Sequence, residues 1–213
     1  MAPKDNNGSA SSTIVRDIIQ GLYEGYYIAG QRLAERDLTE HYGLSRSSVR
    51  EALNQMAADG IVEILPYRGA RIRKLTKEEA ANILSITEVI LGLAARQAAA
   101  HIDEGDARDR LKESFDAIAN HGGDNDHTDF IRRRNHYFRT LISINRNDEI
   151  WRLLPKLQVH LVRNRPSVPT EIRVQGYREI TDAILAGNEI AAEEAARRYV
   201  RVTASHVLPM FPE

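Results

Sequence analysis

Residues 44–53 read LSRSSVREAL, and they place two arginines and three serines in the first two turns of what is otherwise a helix pattern. A helix start needs one capping hydroxyl followed by helix formers, because Ser competes with the backbone for hydrogen bonds inside a helix. A run Ser45-Arg46-Ser47-Ser48 with Arg50 therefore offers more outward donors than the helix itself uses. Guanidinium and hydroxyl groups crowded at a helix N-terminus suit hydrogen bonding to acceptor-rich partners, base edges and phosphates above all. The plain alternative is an exposed, well-capped helix with ordinary solvated charges.

The flanking pattern shows what must position this cluster. Val49, Leu53 and Met56 recur at helical spacing, so Arg46, Ser47, Arg50 and Asn54 fall on the opposite face. Upstream, Ile14, Ile18 and Leu22, with Val15 and Ile19, predict a helix capped by Ser12 or Thr13 and ending near Gly25. Ala34 to Tyr42 predicts a second, stopped by Gly43, and the Arg/Ser helix then runs to Gly60. IVEIL and ARIRKL around PYRG read as two strands joined by a Gly-bearing turn. Helix, helix, short turn, helix and hairpin is the order of a winged helix-turn-helix. Within 44–74, six basic residues (Arg46, Arg50, Arg68, Arg71, Arg73, Lys74) face three acidic ones (Glu51, Asp59, Glu63). The chain as a whole carries a net charge of -1, so any cationic surface is local.

From Thr76 onward only helices are expected, at about 76–102, 106–120, 128–146, 148–163, 170–186 and 188–207. Thr76 and Glu79 have the spacing of a capping box. The breaks fall at residues 105–106, at HGGDNDHT (121–128) and at NRPSVPTE (164–171). The expected fold is thus mainly α: a polar, disordered tail over 1–12, a winged helix-turn-helix of three helices plus a β-hairpin over 13–75, and a six-helix all-α bundle over 76–213. The 213 residues contain no cysteine, which excludes disulfides and thiolate sites. No apolar run of membrane-spanning length and no signal segment is read, so a cytoplasmic protein without membrane contact is expected. No Gly-rich phosphate loop, GxSxG or nucleophilic Cys is present, and no enzymatic activity is expected.

The stretch G30–RL–ER-L–YG-SRSSVREAL–DGIVEI–P-RGA resembles the N-terminal domain of the GntR family of bacterial transcription regulators, over about residues 13–75. That resemblance implies a homodimer binding a double-stranded, pseudo-palindromic DNA operator. It implies DNA contacts at Arg36, Ser45, Arg46, Ser47, Ser48, Arg50, Arg68 and Gly69. Many relatives carry Thr-Pro where this chain has Ser47-Ser48, a change that keeps a hydroxyl at the first position.

YFRTLISINRNDEI and YREITDAILAGNEIAAEEAARRY resemble, less closely, stretches of the FadR-type (FCD) effector domain in its VanR-like branch. Most such domains hold a divalent metal with one Asp and three His; carried over by position, these fall on Arg134, Phe138, Tyr177 and Tyr199. Phenyl, phenol and guanidinium groups are not ligands for a divalent cation at neutral pH, so neither metal nor other cofactor is expected. The seven histidines (41, 101, 121, 127, 136, 160, 206) show no HxxxH or HExxH spacing. Phe130, Arg134, Tyr137 or Phe138, and Leu141 share one helical stripe, which turns Arg134 inward and leaves Arg132 and Arg133 outside. Two readings stand. In one, Arg134 with Phe138, Tyr177 and Tyr199 binds a small organic acid as effector, its carboxylate held bidentately. In the other, the aromatics fill the site and Arg134 pairs with an internal Glu such as Glu88 or Glu179. Repression relieved by ligand is the commoner arrangement in the family.

Overall fold

A computed structural model describes residues 10–66, 68–120, 127–157, 159–163 and 168–212. The chain divides into two compact units, Met1–Lys74 and Leu75–Glu213.

In the first unit, α1 (Ala10–Glu24) packs its Ile14, Val15, Ile18 and Leu22 inward. It begins at Ala10 rather than Thr13, because Ser11 is small enough to be buried in the same face. The polar tail expected over 1–12 otherwise lies outside the described residues. β1 (Arg32–Leu33) leads into α2 (Glu35–Tyr42), which stops where Gly43 adopts φ +63°. α3 (Arg46–Ala58) buries Val49, Ala52, Leu53 and Met56, and the side chain of Ser45 caps it by accepting the Ser48 N–H.

β2 (Val62–Leu65) and β3 (Gly69–Ile72) form the expected antiparallel hairpin, with Val62 opposite Ile72 and Leu65 opposite Gly69. Sequence pattern does not show β1, which makes the sheet three-stranded in the order β1-β3-β2. Two residues carry no periodicity; β1 exists because β3 offers a second edge, extended by Gly30 N–H to Ile72 O (2.8 Å) and Ile72 N–H to Gln31 O (2.9 Å).

The second unit is all helical: α4 (Lys77–Ala100), α5 (Ala107–Ala119), α6 (His127–Ile144), α7 (Asp148–Leu153), α8 (Val159–Arg163), α9 (Thr170–Leu185) and α10 (Glu189–Val207). The Thr76–Glu79 capping box forms in both directions. The helix expected over 148–163 is instead α7, a 3₁₀ turn (Leu154–Leu157) and α8. Pro155 explains the break, since proline has no backbone N–H with which to continue an α-helix. Parts of the expected breaks at 121–128 and 164–171 fall outside the described residues.

Contrary to the hydropathy reading, α4 is long and apolar enough to cross a membrane by length and composition, although 44% of its most apolar window is buried inside the protein. That burial comes from α10, which lies along it. Glu88 binds Arg201 (2.8 Å), Arg96 binds Glu189 (3.3 Å), and a Cβ on Gly92 would meet the Arg197 Cγ at 2.9 Å.

Candidate nucleic-acid interface and effector core

At the N-terminus of α3 the serine cluster is organised among its own members. Ser45 Oγ lies 2.7 Å from Ser47 Oγ and 3.0 Å from Ser48 Oγ, and the Ser48 N–H donates to it over 3.2 Å. The helix thus consumes one hydroxyl as a cap, while Arg46, Ser47, Arg50 and Asn54 stand exposed on the face opposite the buried stripe. Arg50 Nε donates to Glu35 Oε2 on α2 (2.9 Å), and Arg36 Nε donates to Glu40 Oε1 (2.8 Å). Arg68 is exposed beside the β2–β3 turn, and its carbonyl accepts from Arg32 Nε (3.2 Å).

Gly69 differs from the other residues of this set. It is buried at φ +88°, and a Cβ there would lie 2.3 Å from the Leu33 carbonyl oxygen. Its requirement for glycine is met by the packing of β3 on β1. Sequence reading overlooked two participants: Arg32, which ties β1 to the turn of the wing, and Glu35, which holds Arg50. Neither carries a local signal, since their partners lie 36 and 15 residues away.

In the helical unit, Arg134, Phe138, Tyr177 and Tyr199 are all buried. Phe138 on α6, Tyr177 on α9 and Tyr199 on α10 meet as a ring cluster. Its centroids are 5.5 Å (Phe138–Tyr177), 6.2 Å (Phe138–Tyr199) and 5.0 Å (Tyr177–Tyr199) apart. The Tyr177 and Tyr199 hydroxyls hydrogen-bond each other at 2.9 Å. Tyr137, fully buried beside them, bonds the Thr181 hydroxyl (2.9 Å) and donates to the Tyr177 carbonyl (3.3 Å). Burial pushes its phenol well above the usual range.

Arg134 sits one turn before Phe138, 3% exposed, with Nε and Nη2 donating to the Asn135 side-chain oxygen over 3.3 and 3.0 Å. The two carboxylates considered for it are engaged elsewhere: Glu88 by Arg201 and Glu179 by Arg198. A second guanidinium missed in the sequence, Arg173, is also buried and lies over the Phe130 ring, 5.6 Å from its centroid. The available signal was its position one turn before Tyr177 on the same face.

A cavity of about 320 Å³ lies between α9 and α10, lined by Ile172, Gly176, Tyr199 and Val202 with Glu171, Gln175, Glu179 and Arg198. Tyr199 reaches this position because residue 176 is glycine; a Cβ there would come within 2.5 Å of its ring.

Rings and a guanidinium at the four positions do not fit the divalent metal of most FCD domains, since they supply no imidazole or carboxylate donor. Among the described residues no group of three or more His, Asp or Glu converges on one point. His160 is buried, and desolvation pushes its imidazole down to about 4, so it is a neutral interior group. His121 lies outside the described residues.

A capped helix presenting basic and hydroxyl groups, a β wing and a helical second unit define a winged helix-turn-helix transcription regulator. The chain belongs to the GntR family: the model for bacterial regulatory proteins of the gntR family matches residues 10–72, and that for the FCD domain matches residues 82–202. It is 25% identical over 191 residues to the "Probable D-xylose utilization operon transcriptional repressor" of Paenarthrobacter nicotinovorans, covering 87% of this chain and 84% of that one. It is 26% identical over 196 residues to the HTH-type transcriptional regulator YdhC of Bacillus subtilis, covering 87% and 83%. The solved structure of E. coli McbR/YncC shares the fold, with a TM-score of 0.80 at 16% identity over 95% of this chain and 98% of that one.

Proposed function

We propose that the protein is a homodimeric, ligand-responsive repressor whose α3 reads an operator half-site in the major groove. The winged domain is assigned to residues 13–75 and the effector domain to 76–213. The observation that carries this reading is the exposed face of Arg46, Ser47 and Arg50 directly opposite the buried stripe of α3. In this assignment Arg46 and Arg50 read base edges. Ser45, Ser47, Ser48 and Arg36 hold phosphates, Arg68 enters from the wing, and Gly69 contributes backbone only. Two such faces related by a two-fold axis suit a pseudo-palindrome.

The assignment is tested by fluorescence anisotropy at one fixed salt concentration, using duplex from the chromosomal region upstream of its own gene and a scrambled control. Arg46→Ala and Arg50→Ala should each lose about 1–3 kcal/mol of specific binding. Unchanged affinity in both variants would remove α3 from the interface.

For the effector, Arg134 and the ring cluster of Phe138, Tyr177 and Tyr199 are all buried, and a buried cationic group suits a small organic acid. Binding would bias the protein between DNA-competent and DNA-incompetent states. A specific observation favours a second reading, a filled sensor without ligand: the phenols of Tyr137, Tyr177 and Tyr199 are satisfied by Thr181 and by one another. Native mass spectrometry of the purified protein, before and after denaturation, separates the two. A released organic acid supports the first; a ligand-free protein that no carboxylic acid stabilises in a melting screen supports the second.

A further inference from the structure

The first N–H groups of an α-helix have no partner inside the helix, and α4 satisfies two of them in different ways. The Glu79 N–H is taken by the Thr76 hydroxyl (3.2 Å), and the Glu79 carboxylate returns the bond to the Thr76 N–H (2.9 Å). The Lys77 N–H donates instead to the carbonyl of Pro212 (2.8 Å), beyond the end of α10. The segment after α10 carries that carbonyl there. Val207 is followed directly by a 3₁₀ turn (Leu208–Met210), the Phe211 N–H closes back on the Leu208 carbonyl (3.1 Å), and the Phe211 side chain is buried. A carbonyl oxygen at a helix N-terminus also meets the positive end of the helix dipole.

Each end of this contact leads to one of the two regions described above. α10 carries Tyr199 of the ring cluster, two turns before Val207. On the other side, the Arg73 N–H still bonds the Ile61 carbonyl in the winged unit (3.0 Å), and the chain passes from one unit to the other at Lys74 and Leu75. Only Lys74, Leu75 and Thr76 separate Arg73 from Lys77. Even fully extended, that stretch spans no more than about 14 Å.

We infer that residues 208–212 are a latch: by capping the first turn of α4 they fix the direction in which the chain leaves the helical unit for the winged one, and they deliver to that point a shift of α10 at Tyr199. The inference rests on the dimeric, two-half-site reading above and deepens it by naming the element through which the effector core acts on DNA binding.

The consequence is entropic. Two winged domains held on firmly seated α4 helices present their α3 faces over a restricted range of spacings, so the second half-site is bound as an intramolecular event at high effective concentration. Unseating the first turn of α4 widens that range and lowers the effective concentration without altering a base contact. A ligand that shifts α10 would weaken the operator complex by releasing the Pro212 carbonyl from Lys77.

Lys77→Pro isolates the latch. Lys77 is the first residue of α4, a position where proline is well tolerated, and Thr76 before it is already extended (φ −74°, ψ 166°), as a residue preceding proline prefers to be. The substitution deletes the donating N–H and leaves the capping box in place, whereas Lys77→Ala keeps that N–H and is the control. Phe211→Ala undocks the segment from its other end. Full-length proteins are compared by fluorescence anisotropy at one salt concentration, on an operator duplex with both half-sites and on the same duplex with one half-site scrambled. Lys77→Pro and Phe211→Ala should each lose on the order of tenfold on the two-site duplex and nothing on the single-site duplex. Lys77→Ala should match the wild type on both. Gly176→Ala, whose Cβ would lie 2.5 Å from the Tyr199 ring, should lower two-site affinity in the wild-type background and add nothing to Lys77→Pro.

Unchanged two-site affinity in Lys77→Pro and Phe211→Ala overturns the latch and leaves the dimeric reading intact, and so does an equal loss on both duplexes. A Gly176→Ala variant without effect, or with a loss additive to that of Lys77→Pro, overturns the link to α10. A wild type that binds the two duplexes equally overturns the two-half-site reading and the latch with it. If Phe211→Ala loses helical circular dichroism, Lys77→Pro decides alone.

Discussion

Two glycines of the winged domain share a left-handed backbone but not a neighbourhood, and substituting each by alanine separates two costs. Gly43 has φ +63° with nothing within 4 Å of a Cβ, whereas Gly69 has φ +88° with the Leu33 carbonyl oxygen at 2.3 Å and the Glu35 nitrogen at 3.1 Å. Gly43→Ala should therefore cost only the left-handed penalty of an L residue, about 1–2 kcal/mol. Gly69→Ala carries that penalty and also forces apart β3 and β1, because neither obstructing atom is at the end of a flexible side chain; overpacking of this kind adds about 1–3 kcal/mol. The assay is native-state hydrogen exchange of the β3 and α3 amides in the full-length chain, which isolates the winged domain from the helical one. Gly69→Ala should also weaken operator binding, since the displaced strand carries the wing, while Gly43→Ala should leave the wing in place. Equal losses of protection in the two variants would refute the close-approach argument and leave backbone conformation as the whole effect.

Other expectations follow from the helical core. Tyr137→Phe removes the hydroxyl that serves buried Thr181 and should cost about 1–3 kcal/mol in denaturant unfolding, partly restored by adding Thr181→Val; an unchanged midpoint in the single variant would contradict the hydrogen-bond assignment. His160 is depressed to about 4 in the folded protein by burial, so the unfolded chain binds its proton first. The resulting stability is complete above about pH 6.5 and declines by up to about 1.4 kcal/mol per pH unit as pH falls towards 4. His160→Met should flatten that part of the stability profile, and an identical slope would show that the imidazole is not held neutral.

The winged domain was legible where side-chain periodicity was strong. Val49, Leu53 and Met56 announce a buried stripe, and that stripe determines which way Arg46 and Arg50 face. β1 was not legible, because two residues cannot display a period and their pairing is set by the free edge of β3. The bond between Arg50 and Glu35 was likewise hidden, joining residues that only the packing of α2 on α3 brings together. In the helical domain the inward turn of Arg134 could be read from its stripe. The ring cluster needed three helices in register, and the split of the 148–163 helix at Pro155 shows a local residue overriding a longer apolar pattern.

Two arginines of α2 and α3 already hold carboxylates, Arg36 on Glu40 and Arg50 on Glu35. A polyanion that engages them releases the cations condensed on it and must also displace a tethered carboxylate from each arginine. Each displacement offsets part of what a phosphate contact contributes, by the small worth of an exposed ion pair, about 0.2–1 kcal/mol. In the proposed complex the two glutamates would thus stand as built-in competitors of the duplex, and a contact that also engages a base edge would outweigh them by more than a phosphate contact alone.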